Sequence, residues 1–224
     1  EDALRRLDRW DADLRAAFDG ETPVHPVLFA LRETIARRGI PERPFFDLIE
    51  ANRVDQRVFR YENWAQLEAY CRLSAAPVGR MVLYIFGITD ARAAALSDDV
   101  CIGLQLANHA QDVKRDAAIG RCYLLEDDLR AGGTQEEVRA MVERARSLLN
   151  SGNALEPLAG VALRLQLALY RLGGLAICDA IERLGYRTDL QRPAIGAADK
   201  ARVLASGLRQ SLRPHEEESY VGTA

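Results

Sequence analysis

Two aspartates four residues apart, Asp112 and Asp116, carry the most suggestive chemistry of this 224-residue chain. They sit in the run Leu104-Gln105-Leu106-Ala107-Asn108-His109-Ala110-Gln111-Asp112-Val113-Lys114-Arg115-Asp116. At 100° per residue, a helix gathers Gln105, Asn108, Asp112 and Asp116 into an arc of about 80°. That polar stripe is about 16 Å long at the helical rise per residue. Ile102, Leu106 and Val113 wall it on one side, Val100 and Leu104 on the other. A stripe so walled points into a cavity between helices rather than to open solvent.

Two carboxylates at i and i+4 repel each other, and a divalent cation relieves the repulsion. Mg²⁺ suits the position, because it takes oxygen ligands, keeps waters and completes its shell with substrate phosphates. Asn108, one turn earlier, supplies a further ligand or anchors a water. The same spacing also describes a solvated acidic face neutralised by Lys114 and Arg115. Arg121 follows the helix end, within reach of Asp116, and a guanidinium there can hold a diphosphate. It can equally be a surface arginine after a helix terminus.

The elements that must position these groups read as helices. Apolar steps of three and four run through Asp2 to Phe18, then Val27 to Ile35, then Phe45 to Val54. Asn63 N-caps a long helix from Trp64 to Phe86, kinked at Pro77. Ser97 N-caps the helix from Asp98 to Ala118 that carries the stripe. Leu125 to Leu129 forms a short turn. Thr134 and Glu137 make a capping box for Gln135 to Leu149. Glu156 to Leu184 is a last long helix, interrupted near Gly173-Gly174, and Lys200 to Leu212 a weaker one. No segment alternates convincingly, so no sheet is expected. The reading is one all-α domain over residues 1–212, with a polar tail at 213–224.

Composition narrows the function. Apolar residues make up 48% and the net charge is −3, so a packed core is expected and disorder is not. A slightly acidic chain lacks the basic face that nucleic acid needs. Cys71, Cys101, Cys122 and Cys178 form no C-x-x-C pair and read as free thiols of a cytoplasmic protein. Three histidines without ligand spacing make no zinc site. No 18-residue uncharged apolar run is present.

The motifs resemble those of the squalene and phytoene synthases. N-x-x-x-D-V-x-x-D from Asn108, followed by G-R-x-Y-L from Gly120, resembles the second Asp-rich motif of that family. Leu67 to Cys71 with Ser74-Ala75-Ala76-Pro77-Val78-Gly79 resembles its L-x-x-Y-C-x-x-x-A-x-x-V-G block. Gly173-Gly174, Arg192-Pro193 and Lys200 resemble the ending of its hopanoid-pathway members. The resemblance covers essentially the whole chain. It implies a helical bundle of the isoprenoid synthase type and a prenyl diphosphate substrate. Asp112 and Asp116 would then bind Mg²⁺ with support from Asn108. Gln105 would line the cavity, and Tyr70 would stabilise a carbocation. Ala75, Val78 and Gly79 would shape the isoprenoid channel, and Arg121 would meet the diphosphate.

Gln111, where other branches carry Arg, and the S-A-A-P-V-G form look most like bacterial hydroxysqualene synthases. Those enzymes ionise presqualene diphosphate and capture the cation with water. Presqualene diphosphate/squalene and phytoene synthases are the alternative branches. His109 and Ala110 replace the Phe and Trp of the most similar members. The family's first Asp-rich motif, D-D-x-x-D, is missing; Asp8, Asp11 and Asp98-Asp99 lack its spacing. The expectation is therefore a piece of a longer protein lacking two or three N-terminal helices. The alternative is a non-catalytic homologue. No obligate protein partner is expected, and lipophilic products would bring weak peripheral contact with a membrane.

Overall fold

A computed structural model describes residues 2–212, the side chains at 161 and 162 excepted. The polar tail expected at 213–224 lies outside the described residues. The helices are α1 (Asp2–Phe18), α2 (Pro26–Arg38), α3 (Arg43–Val54), α4 (Trp64–Ser74), α5 (Ala76–Ile85), α6 (Ala91–Gln111) and α7 (Val113–Ala118). After them come α8 (Glu126–Ser151), a 3-10 turn (Gly152–Leu158), α9 (Val161–Arg183) and α10 (Ala197–Ser211). The fold is the all-α bundle expected.

Several boundaries differ, each for a local reason. The helix expected from Trp64 to Phe86 is two helices, broken at Ala75, because Pro77 has no N–H and seats best in a first turn. Asn63 is the N-cap of the first, accepting the Gln66 N–H. The stripe helix starts earlier than Ser97, at Asp90, whose carboxylate accepts the Ala93 N–H. It also stops at Asp112 (φ −99°, ψ 14°), where α7 takes over. A short pair of strands was not expected: β1 (Arg60–Tyr61) pairs in parallel with β2 (Cys122–Leu125). Strands this short have no readable alternation. Gly173 and Gly174 do not interrupt α9; a side chain at Gly174 would strike Leu104 and Leu149.

The main core surrounds α6. Ile102, Leu106, Ala107 and Ala110 of α6 meet Val138, Met141, Val142 and Leu149 of α8 in one buried cluster. Gly103 lets α8 approach: a Cβ there would stand 2.9 Å from Leu149 Cγ and 3.1 Å from the Ala145 carbonyl. A second, smaller cluster joins α1 to α3 through Leu14, Leu28 and Ile49. One buried ion pair ties the far end together. The Arg171 Nε donates to Glu156 at 2.7 Å, and the same guanidinium reaches Asn153 and Gln210.

Glu137, expected in a capping box with Thr134, does something else. Gly133, at φ 79°, breaks α8 ahead of it. Glu137 is buried and accepts the Leu125 N–H at 3.1 Å, which pins the end of β2. Burial, then neighbouring Asp128, push its carboxyl up to about 7. The folded protein thus holds a proton that the unfolded chain releases near pH 4.5, so stability falls as pH rises from about 4.5 to 7. Glu137→Gln keeps the acceptor and removes the titration. It is expected to melt no lower than the wild type at pH 8 and to lose that pH-dependent fall, as melting curves across the interval would show.

Candidate active site

The site is built where α6 ends. Asp112 is buried at the α6–α7 junction, and its backbone N–H still reaches the Asn108 carbonyl at 2.9 Å. Asp116 N–H donates to the Asp112 carbonyl at 2.8 Å, so one turn of helix geometry keeps the pair on one side. Asp112 is held by the Arg192 Nε, with Arg115 at 3.8 Å from its second oxygen. Asp116 is half-buried. Burial and the like charge of Asp112 push its carboxyl up to about 6.

The arginine over Asp112 arrives on a strap the sequence reading did not place. The Gln111 Nε2 donates to the Pro193 carbonyl at 2.8 Å, and Lys114 Nζ to the Leu190 carbonyl at 2.9 Å. Arg192 also donates to Gln111 Oε1 at 3.0 Å. The segment between α9 and α10 is thereby laced onto the end of α6.

An aromatic wall stands one turn back. Tyr70 of α4 is buried, with Tyr61 and Tyr123 rings at 5.4 and 5.9 Å. His109 stacks on Tyr123 at 3.7 Å and pairs through Nε2 with Gln105 at 3.2 Å. Burial pushes the imidazole down to about 3, so it is neutral at physiological pH. Burial and the adjoining Tyr123 and Asp55 raise the Tyr70 hydroxyl, which stays protonated.

Other candidates lie apart from this wall or differ from what was expected of them. Asn108 is exposed, and Gln105 is half-buried. Ala75 is buried at the α4–α5 break, whereas Val78 is exposed. Gly79 is a close-approach point: a Cβ there would lie 2.3 Å from Ser97 Oγ and 2.6 Å from Cys101 Sγ. Arg121 is already engaged. Its Nη1 donates to Asp55 at 2.5 Å and to the Tyr123 hydroxyl at 3.2 Å, and Nη2 to the Asp55 carbonyl at 3.0 Å. Asp55 went unnoticed in the sequence. The one signal that could find it is the need of a half-buried Arg121 for a counter-ion.

The donor set fits a hard cation only in part. Among the described residues no group of three or more His, Cys, Asp or Glu is arranged to hold a metal. Two carboxylates are present, and Asp116 feels Arg115 and Arg121 only at a distance. That suits Mg²⁺, which is commonly held by one or two carboxylates plus substrate phosphates, and not a closed all-protein cage. No helix of the described residues is long and apolar enough to cross a membrane.

Comparison with known proteins agrees with this architecture. A family model for squalene/phytoene synthase matches residues 1–199. A hydroxysqualene synthase from Sinorhizobium fredii is 39% identical over 170 residues, covering 69% of this chain and 56% of that protein. Phytoene synthase 1 of Arabidopsis thaliana is 31% identical over 231 residues, covering 92% of this chain and 53% of its own length. The crystal structure of squalene synthase HpnC from Alicyclobacillus acidocaldarius superposes with a TM-score of 0.79 at 45% identity. It covers 82% of this chain and 74% of that one. The chain spans about half the length of the curated relatives it matches. It belongs to the squalene/phytoene synthase family.

Proposed function

We propose that this chain acts on presqualene diphosphate, ionising it with Mg²⁺ and capturing the rearranged cation with water to give hydroxysqualene. The observation that carries this reading is the Asp112–Asp116 pair, with Asp112 held by Arg192 and Asp116 raised by burial and by Asp112, one turn from the stacked Tyr70, Tyr123 and His109 rings. The similarity to hydroxysqualene synthases supports this branch.

Asp112 and Asp116 would hold Mg²⁺, with Asn108 close enough along the chain to anchor a water. The metal supplies charge neutralisation for the leaving diphosphate. The C–O bond breaks with both electrons leaving on the diphosphate. Tyr70, backed by the Tyr123 ring at 5.9 Å, would offer aromatic density that stabilises the carbocation. Burial of this wall keeps bulk water from quenching the cation early. One water oxygen then bonds to carbon and loses its proton. Lipophilic substrate and product make weak peripheral membrane contact part of the same proposal.

A second reading is head-to-head coupling of farnesyl or geranylgeranyl diphosphate, favoured by the 92% coverage of this chain by a phytoene synthase match. A third, a non-catalytic homologue, follows from the absence of a D-D-x-x-D motif in residues 1–224. Feeding farnesyl, geranylgeranyl and presqualene diphosphates separately to the intact protein discriminates them. A C30 alcohol from presqualene diphosphate supports the first reading, a C30 or C40 hydrocarbon the second, and no diphosphate release the third.

The strap adds a prediction free of turnover. Arg192→Gln removes the cation that competes with metal at Asp112. Mn²⁺ binding without substrate, followed by electron paramagnetic resonance, is expected to tighten by about tenfold, the scale of one nearby charge at a protein surface.

A further inference from the structure

We propose that Asp55 is a positioning residue that sets the electrostatics of the cation-stabilising tyrosines. The inference rests on the reading that Tyr70 and Tyr123 face a carbocation. It concerns a residue that no motif marks. Asp55 caps the end of α3, far from Asp112 and Asp116 in sequence. The β1–β2 pair brings its segment beside Arg121, since the Cys122 N–H donates to the Phe59 carbonyl at 2.8 Å.

Two groups then converge on Asp55, and a third is reached through Arg121. The Tyr70 hydroxyl donates to Oδ1 at 3.0 Å. Arg121 donates to the same oxygen at 2.5 Å and to the Asp55 backbone carbonyl at 3.0 Å. Arg121 also donates to the Tyr123 hydroxyl at 3.2 Å. Tyr70 is buried and Asp55, Arg121 and Tyr123 are half-buried, so their fields are weakly screened.

Two consequences follow. With its proton committed to Asp55, the Tyr70 hydroxyl has only lone pairs left for any other partner, and its ring is fixed against Tyr61 and Tyr123. The carboxylate and guanidinium also cancel. A bare Arg121 beside the tyrosines would repel a developing carbocation, and a bare Asp55 would attract it and trap it covalently. The pair leaves the wall neutral, so that ring faces decide where positive charge rests.

This account gives opposite signs for the two charges, which a purely structural role does not. The probes are farnesyldimethylammonium, an isoprenoid cation, and neutral farnesol, each titrated against the intact protein by calorimetry. Asp55→Asn leaves Arg121 unbalanced and is expected to weaken the ammonium probe about tenfold. Arg121→Gln leaves Asp55 unbalanced and is expected to strengthen it by about the same factor. Farnesol binding changes in neither. Should Asp55→Asn fold poorly, Arg121→Gln still decides, because tighter binding is opposite to any folding defect. Weaker ammonium binding in both variants, or no change in either, overturns the proposal. So does a wild type that does not distinguish the ammonium from farnesol. Diphosphate release plays no part in this readout, so the proposed reaction can fail while this inference stands, and the reverse.

Discussion

Asp112→Asn is expected to lower metal-dependent diphosphate release by about 10³-fold or more, the scale on which groups stabilising departing charge act. Asparagine preserves the junction between α6 and α7, because the backbone bonds there do not involve the side chain. It removes the negative charge that Mg²⁺ would need. It also removes the like charge that raises Asp116, so the Asp116 carboxyl is expected to fall toward its ordinary range. The loss should therefore appear in turnover while the melting temperature changes by only a few degrees. Asp116→Asn should behave alike, and the double variant little worse than either, since two ligands of one ion act as a unit. Steady-state release of diphosphate from presqualene diphosphate, alongside melting curves, checks both statements.

The largest stability effect is expected at Arg171. Its side chain and that of Glu156 are 5% and 7% exposed, so the pair is sealed from water. Arg171→Met leaves the buried Glu156 without its partner and also removes the bonds to Asn153 and Gln210. Breaking one side of a buried pair costs about 3–5 kcal/mol. In a chain of this length that lowers the melting temperature by roughly 6–20 °C. Adding Glu156→Leu removes the stranded carboxyl and should recover much of the loss. The contact with Gln210 runs to α10, so α10 should show the earliest rise in hydrogen exchange.

What could be read from the residues was the part governed by local periodicity. The Asn63 cap and the all-helical plan follow from spacing within one turn or one helix, whereas the expected stripe is divided, with Asp116 on α7 and Asn108 exposed. The departures are tertiary. Asp112 interrupts its helix where it and Gln111 hold Arg192 of the strap, and Asp112 and Arg192 are 80 residues apart. β1 is two residues long, too short for any alternation, yet it joins Asp55 to Arg121. Glu137 fits a capping box by spacing, but the Leu125 N–H takes its carboxylate because Gly133 breaks the helix first. Gly79 looked like room for a ligand and is room for Ser97 and Cys101. A small residue marks a close approach; only the fold tells whose.

The central claim is that the Asp112–Asp116 face ionises a prenyl diphosphate and that water ends the reaction. Incubating the intact protein with presqualene diphosphate in ¹⁸O-water, with and without Mg²⁺, tests it most directly. The account predicts one diphosphate released per C30 alcohol formed, the alcohol carrying ¹⁸O, and neither product once the metal is chelated. Diphosphate release indifferent to chelation, or an alcohol without the label, would contradict it.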